Sequence, residues 1–408
     1  MANLPALTVA QEKRGHDSRV MNPKYAPLFA SLTLPTPASG RGTLGGLELR
    51  NRLVMAPMTN FSSNEDGSVT DSELAYYARR SSGVGMVITA CANVTANGQG
   101  FPGEIGVDRD DLVPSLNRLA QAIQNEGSAA VLQIFHGGRA CPPALVNGDV
   151  VSASAVPAEA PGSTVPRELS DAEVQEIVTA FGDATRRAIQ AGYDGVEIHG
   201  ANGYLLQQFF SPHSNRRQGR WGGDVKGRMA FPLAVVEAVQ AAVREHATRP
   251  FVVGYRFSPE EPENPGISMP DTLALVDALA GTGLDYLHVS LMDYRSLPRT
   301  GNVTQPRLDA LVAQLNGRVP LIGVGSVWSA DDALAVLNSG AALVALGRSL
   351  VVEPDWVQKV EAGQEQGLRT QLTPDEQALL VVPDPLWNAI LNAPGWFPVG
   401  EAKVPERA

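Results

Sequence analysis

Thiols are scarce in this 408-residue chain, which contains two cysteines, Cys91 and Cys141. A disulfide framework, a four-thiolate zinc site and an iron–sulfur cluster all need more cysteines or a recognisable cysteine spacing. The sequence therefore argues against these three classes and predicts no metal site.

Basic runs and long apolar runs are also missing, and the net charge is −11. Nucleic acid and anionic membrane surfaces are therefore poor partners. No apolar stretch reaches the ~18 residues of a membrane helix. Residues 1–20 lack the basic start and apolar core of a signal peptide. We expect a cytoplasmic protein that acts on a small molecule.

What the chain does have is a regular alternation of short apolar runs with amphipathic segments. Near-continuous apolar runs are typical of parallel strands that are covered by helices. The runs are 52–58, 85–91, 129–136, 194–200, 251–257, 285–291, 320–325 and 342–348. Eight such units predict an α/β fold of the (β/α)₈ TIM-barrel type. A doubly wound open sheet is the alternative, but its G-x-G-x-x-G turn after the first strand is absent.

The segments between the runs carry helix signals, and their lengths suggest how the chain is organised. Ser170 and Glu173 have the spacing of a capping box at the start of a helix over 170–192. We predict a single domain over 1–408, with a barrel core at about 50–355 and extensions 1–49 and 356–408. The tail 381–398, with two tryptophans, is expected to pack on a neighbouring subunit of a homo-oligomer or on its own barrel.

Polar side chains gather where the predicted strands end. Alternate strand residues share a face, so Gln133, His199 and Arg256 are expected to converge on the C-terminal mouth of the barrel. Asn202 and Tyr204 follow at once in the loop after strand four. Because barrels build active sites from these loops, the sequence predicts a site at the mouth.

The loops after strands seven and eight carry an anion-binding pattern. Gly325 and Gly347 allow backbone N–H groups to approach an anion, and Arg348 adds a charged donor. Barrels commonly bind phosphate at this place, so we predict a phosphate site there.

Several of these stretches together resemble the old yellow enzyme family of FMN-dependent NAD(P)H oxidoreductases, the ene-reductases. They are "NRLVMAPMTN" (51–60), "VLQIFHGGR" (131–139), "GYDGVEIHGANGYLLQQFFSPHSNRR" (192–217), "VGYRFSPEE" (253–261) and "LGR" (346–348). The likeness covers roughly residues 25–355. It implies a stand-alone barrel member that binds FMN and takes hydride from NADH or NADPH.

The resemblance also implies residue roles. Ala56, Pro57 and Met58 would lie along the isoalloxazine, and Thr59 would bond the carbonyl next to N5. The other cofactor-binding residues implied are Ala90, Cys91, Gln133, Arg256, Gly325, Ser326, Gly347 and Arg348.

On the substrate side, the resemblance implies that His199 and Asn202 hold the substrate carbonyl oxygen and that Tyr204 is the proton donor. His136 and Arg139 would help admit substrate or nicotinamide. From the residues alone, His136 either lines the site or stabilises the loop 137–169.

Two other functions stay open at this stage. A flavin-free phosphate-binding barrel could act as a lyase or isomerase, with a metal on His136, Glu197 and His199. The five lysines lie away from the predicted strand ends, so this alternative lacks a Schiff-base nucleophile. A non-catalytic binding barrel would leave the polar group at the mouth without a role.

Overall fold

Residues 20–36, 45–301 and 304–401 are described by a computed structural model. The eight apolar runs form the strands of one parallel sheet. They are β1 (Leu53–Met55), β2 (Met86–Asn93), β3 (Ala129–Phe135), β4 (Gly195–Gly200), β5 (Val252–Phe257), β6 (Tyr286–Val289), β7 (Leu321–Gly323) and β8 (Leu343–Leu346). Because β1 pairs with both β8 and β2, the sheet closes into a barrel. The (β/α)₈ prediction is confirmed.

Helices that follow the strands cover the barrel. They are α1 (Asp71–Ser81), α2 (Val113–Gln124), α3 (Asp171–Gln190), α4 (Val225–His246), α5 (Met269–Ala280), α6 (Arg307–Leu315) and α7 (Ala330–Asn338). Ser170 caps α3 in a capping box with Glu173, as predicted. Among the described residues, no helix has the length and apolar content needed to cross a bilayer.

Short elements complete the barrel. An antiparallel pair of strands, Leu32–Leu34 and Leu47–Leu49, packs Leu34 and Leu49 against the apolar residues inside the barrel. Further short strands are Ile105–Gly106, Val151–Ser152 and Arg167–Glu168. Short helices are Leu205–Phe210, Arg348–Val352, Trp356–Glu361, Gln377–Leu380 and Asp384–Asn392. Segments of 3₁₀ helix are Pro23–Phe29, Ala96–Gly98, Asp110–Leu112, Gly138–Ala140, Pro143–Leu145 and Glu365–Gly367.

The C-terminal tail packs on the barrel of its own chain. Leu386, Trp387 and Phe397 are buried and belong to the same apolar cluster as the covering helices. Buried Arg80 of α1 donates through Nη2 to the carbonyl of Leu380 at 2.6 Å. The sequence left two placements open for the tail, on a neighbouring subunit or on its own barrel, and the structure has it on its own barrel. The homo-oligomer and the single-domain organisation stay predictions.

A buried carboxylate lies at the centre of the barrel. Glu197 accepts hydrogen bonds from Gln133 Nε2 at 2.8 Å and from the Tyr286 hydroxyl at 3.1 Å. His288 Nδ1 lies 2.9 Å from the same carboxylate and donates to it. Burial alone would raise the pKa of Glu197, but His288 and Arg256 hold that pKa below its usual range. Glu197 is therefore an ionised core residue with partners on β3 and β6.

Gly254 makes room for this arrangement. It pairs with Glu197 on β4 and with Tyr286 on β6, so it lies between them in the sheet. A Cβ on Gly254 would lie 2.0 Å from Tyr286 Cζ. The Tyr286 ring therefore reaches Glu197 only across a residue that has no side chain.

We predict that Gly254→Ala lowers the free energy of unfolding by about 1–3 kcal/mol, the usual cost of overpacking a core. Gly367→Ala is the control, because nothing lies within 4 Å of the added Cβ. Urea unfolding followed by circular dichroism measures both. A Gly254→Ala variant as stable as the control would contradict the packing described, and a single transition in the parent would support the single-domain prediction.

Candidate active site

The barrel register lines up charged and polar side chains just below the mouth. Arg256 pairs with His199 of β4 on one side and with His288 of β6 on the other. The Arg256 side chain is buried, and its Nε has no hydrogen-bond partner within the described part of the chain. A buried guanidinium with an unmet donor is costly unless a ligand supplies an acceptor. The mouth is therefore built for an electron-rich group beside Arg256.

A groove runs across the mouth from Arg256 to the ends of β7 and β8. Eight of the twelve predicted cofactor residues line it: Ala56, Pro57, Met58, Arg256, Gly325, Ser326, Gly347 and Arg348. The structure therefore brings together residues that are almost 300 positions apart in the sequence.

The far end of the groove has the backbone shape of an anion site. Gly325 has φ 124°, and a Cβ there would lie 2.7 Å from the carbonyl oxygen of Leu291. Ser326 follows with a left-handed φ of 51°, and its hydroxyl donates to the carbonyl of Met292 at 2.7 Å. These constraints turn the backbone of the loop after β7 toward the groove.

Donors remain available at this end. Ser349 lines the groove, and its buried hydroxyl has no partner among the residues described. Arg348 uses Nη2 for the Ser326 hydroxyl at 3.3 Å and Nη1 for the carbonyl of Trp396 at 3.0 Å. The Arg348 guanidinium also lies 5.4 Å from the ring centre of Trp328. Ser349, Trp328 and Trp396 were not expected from the sequence.

The other four predicted cofactor residues, Thr59, Ala90, Cys91 and Gln133, do not line this groove. Cys91 pairs with Gln133 across β2 and β3, and its thiol interacts with the Thr59 hydroxyl. Burial raises the pKa of Cys91, so the thiol stays protonated. The Ala90 N–H donates to the hydroxyl of Tyr77 at 2.7 Å. These residues contact other groups of the protein, and their roles in binding a cofactor stay predictions.

His199 is held as a neutral hydrogen-bond donor. The N–H of Ala201 donates to its Nδ1 at 3.2 Å, so the ring proton is on Nε2. Burial, together with Arg256 and His288, keeps the pKa of His199 well below its usual value. Nε2–H has no partner within the described residues and is free to donate to a ligand.

Asn202 is fixed by two serines that the sequence did not point to. Its backbone has a left-handed φ of 57°, and its N–H donates to Ser258 Oγ at 2.8 Å. Ser290 Oγ donates to Asn202 Oδ1, also at 2.8 Å. With Oδ1 occupied, the amide presents Nδ2 as a donor. Ser258 and Ser290 follow β5 and β6 directly, which is why they reach this side chain.

Tyr204 stands beside this pair within an aromatic wall. Its ring lies edge-on to His199 at 5.0 Å and to Phe135 at 5.1 Å, with Phe101 at 6.1 Å. Burial, reinforced by nearby Cys91 and Glu104, raises the pKa of Tyr204. The hydroxyl has no hydrogen bond within the described chain, so it is a protonated donor held by apolar contacts.

The two weaker substrate candidates have different surroundings. His136 is fully buried, and its Nδ1 accepts the N–H of Gly138 at 3.0 Å, so this ring stabilises the loop after β3. Burial lowers the pKa of His136 to about 3. Arg139 lies in a side pocket with Asn202, while its Nη1 donates to the carbonyls of Val156 and Pro157.

The three residues considered for a metal do not form a ligand set. Glu197 is engaged with β3 and β6, and His136 with its own loop. Within the described ranges, no group of three His, Cys, Asp or Glu side chains is arranged to hold a metal ion.

Comparison with known proteins identifies the class to which this barrel and site belong. The model of the NADH:flavin oxidoreductase / NADH oxidase family matches residues 43–367. The chain therefore belongs to this family and is an FMN-dependent NADH/NADPH oxidoreductase of the old yellow enzyme type.

Individual relatives refine the placement. The chain is 51% identical over 380 residues to a Bacillus subtilis protein named "Probable NADH-dependent flavin oxidoreductase YqiG", covering 93% of this chain and 99% of that one. It is 43% identical to the NADH:fumarate oxidoreductase of Klebsiella pneumoniae, over 84% of this chain but 37% of that protein. The solved old yellow enzyme of Trypanosoma cruzi is 30% identical, with a TM-score of 0.69 over 83% of this chain and 93% of that one.

The groove fits the FMN that the family implies. Its inner end offers the unpartnered Nε of Arg256, and its outer end offers the loop at Gly325, the Ser349 hydroxyl and Arg348. A cationic group suits the pyrimidine end of a flavin, and the outer donors suit its phosphate.

One buried acid near the aromatic wall escaped the sequence analysis. Glu104 Oε2 accepts the N–H groups of Gly100 at 2.9 Å and Phe101 at 3.0 Å, while Oε1 is buried without a partner among the described residues. Burial raises the pKa of Glu104 well above its usual value. The neutral acid thus holds the turn that carries Phe101 against Tyr204.

Glu104 makes folding depend on pH in a definite direction. An acid whose pKa is raised by folding binds more protons in the folded state, so its contribution to stability falls as pH rises above the unfolded value of about 4.3. We predict that Glu104→Gln stabilises the protein relative to the parent, and that the gain grows from about pH 5 to about pH 8.

Urea unfolding of both proteins across this range measures the effect. Glu48→Gln, at an exposed position of the strand Leu47–Leu49, is the control for the loss of one acidic side chain. A constant difference between Glu104→Gln and the parent would mean that Glu104 is ionised in the folded protein.

Proposed function

We propose that this protein reduces activated carbon–carbon double bonds, in α,β-unsaturated carbonyl or nitro compounds, at the expense of NADH or NADPH. The observation that carries the proposal is the oriented pair of donors, His199 Nε2–H and Asn202 Nδ2, beside the aromatic wall. Two donors fixed at the same mouth of the barrel suit a carbonyl oxygen that gains negative charge during reaction.

FMN, when bound in the groove, supplies the hydride chemistry between nicotinamide and substrate. Arg256 contributes a buried positive charge at the inner end of the groove, which favours the negative charge of a reduced flavin. Glu197 favours the charged form of Arg256, and hydrogen bonds from Gln133 and His288 fix the Glu197 carboxylate.

His199 and Asn202 would bind the substrate oxygen and polarise the conjugated double bond. Both are pre-oriented, because Ala201 fixes the His199 tautomer and Ser290 fixes the Asn202 amide. Such donors need little rearrangement as charge develops on the oxygen, and this is the main source of their catalytic value.

Tyr204 would supply the proton that the α-carbon needs. Its raised pKa keeps the hydroxyl protonated at neutral pH, and its free position beside His199 leaves it able to meet a substrate. A general acid must lie within reach of the reacting atom. The aromatic wall fixes the position of the Tyr204 ring next to His199.

Relatives support reduction of activated double bonds. The Klebsiella pneumoniae relative is named for fumarate, whose double bond is conjugated with carboxylates. This chain matches about a third of that protein, so the substrate of that protein does not by itself identify the substrate of this one. The donor pair of His199 and Asn202, called the clamp below, requires a substrate oxygen that is conjugated with the double bond. The rest of the substrate would lie in the side pocket at Arg139.

The flavin-free lyase or isomerase is the weaker candidate. Family membership supports FMN in the groove. His136, Glu197 and His199 do not form a set of metal ligands in the described part of the chain. A non-catalytic barrel would leave the free donors of His199 and Asn202 unexplained.

The clamp predicts how phenols bind, since a phenolate resembles the enolate oxygen. Replacing His199 and Asn202 together with Ala should weaken phenol binding by ~2–4 kcal/mol. Ser290→Ala should weaken it by about 0.5–1.5 kcal/mol, because the Asn202 amide is no longer held. Titration of the flavin absorbance with a para-substituted phenol gives both values.

Ser339→Ala is the matched control, because that hydroxyl bonds the end of α7 away from the mouth. Equal phenol affinity in the parent and the three variants would contradict the role of the clamp in binding the substrate oxygen.

Tyr204→Phe tests the proposed reaction itself. Stopped-flow absorbance separates flavin reduction by NADH or NADPH from reoxidation by cyclohexenone. We expect reduction within about twofold of the parent and reoxidation slowed by about 10²-fold or more, the usual value of general acid catalysis. A slowed flavin reduction with normal reoxidation would show that Tyr204 acts on the nicotinamide. Failure of the parent to reduce any conjugated acceptor would overturn the proposal.

A further inference from the structure

The C-terminal tail reaches the cofactor groove. Trp396 lines the groove, and its backbone carbonyl accepts a hydrogen bond from Arg348 Nη1 at 3.0 Å. Trp396 is 48 residues beyond Arg348 and outside the barrel. The tail therefore contributes one indole and one carbonyl to the outer, anion-binding end of the groove.

The segment that presents Trp396 is fixed on its C-terminal side. Phe397 is 4% exposed and packs in the main core, with its ring 4.9 Å from that of Trp396. Leu372 donates its N–H to the carbonyl of Pro398 at 3.1 Å, and Gly400 donates to Leu372 at 2.8 Å. Trp396 is thus held in place by the packing of the tail.

Arg348 is oriented by what surrounds it. Its two Nη groups donate to Trp396 and to Ser326, and its guanidinium lies against the ring of Trp328. Trp328 is fixed in turn, because its carbonyl accepts the indole N–H of buried Trp356 at 2.9 Å. A guanidinium held in this way loses little freedom when it binds an anion, which favours affinity.

We propose that the tail segment 394–397 is part of the FMN site, with two separable roles. The Trp396 carbonyl orients Arg348 for the phosphate, and the Trp396 indole forms one wall of the groove. The inference rests on FMN as the cofactor and does not depend on the proposed alkene reduction.

Two variants separate these roles. Trp396→Ala removes the indole and keeps the carbonyl. Gly395→Val acts on the backbone instead, because Gly395 has φ 85° and nothing lies within 4 Å of an added Cβ. A β-branched residue disfavours this φ strongly, so the Trp396 carbonyl should move away from Arg348.

The measurement is the dissociation constant of FMN and of riboflavin, which lacks the phosphate. Each is read from flavin fluorescence as the protein is titrated, with no substrate present. Leu391→Ala is the control: Leu391 lies on the same tail, is 37% exposed and does not line the groove. Circular dichroism reports whether each variant is folded.

We expect Trp396→Ala to weaken FMN and riboflavin by the same factor, about tenfold, the usual cost of truncating a well-packed Trp. We expect Gly395→Val to weaken FMN more than riboflavin, so that the preference for the phosphate falls by about tenfold. Leu391→Ala should bind both as the parent does.

Parent-like FMN binding by Trp396→Ala would overturn the role of the indole. An unchanged phosphate preference in folded Gly395→Val would overturn the role of the carbonyl. If Gly395→Val does not fold, Gly395→Ala, which opposes the left-handed φ more mildly, is judged by the same ratio. Failure of alkene reduction with normal flavin binding would concern only the proposed function.

Discussion

The site depends on one buried charge, the carboxylate of Glu197 in the middle of the barrel. An ionised carboxylate in a core is tolerated only when donors or opposite charges surround it. Here Gln133, Tyr286 and His288 provide the hydrogen bonds, and Arg256 provides the opposite charge. The requirement to satisfy Glu197 ties β3, β4, β5 and β6 together just below the mouth.

The same charge balance sets the protonation state of the mouth. Burial, together with Arg256 and His288, disfavours a positive charge on His199, so the ring stays neutral, and Ala201 then selects the tautomer with the proton on Nε2. Arg256 keeps its own charge against the cost of burial because Glu197 lies close. The opposite charges of Glu197 and Arg256 therefore support each other in the core and leave a neutral donor beside a cationic groove.

The sequence predicted the barrel and most of the residues at its mouth, because strand alternation and strand order decide which side chains converge. It did not predict Ser258 or Ser290, since a single serine after a strand carries no signal until the register places it beside Asn202. Trp396 was missed for a related reason: the return of the tail to Arg348 depends on how Phe397 packs. For His136, the hydrogen bond to Gly138 supports the loop-stabilising role of the two that the sequence left open.

Preorganisation in this site is achieved with backbone strain. Asn202 and Ser326 both have left-handed φ values, one at the donor pair and one at the anion-binding loop. Such conformations cost of order 1 kcal/mol or more and persist only where surrounding contacts over-determine them. The contacts are present in both places, from Ser258 and Ser290 at Asn202 and from Met292 at Ser326. The free energy that these backbone conformations require is therefore provided when the protein folds. The donors then need not reorganise when a ligand binds.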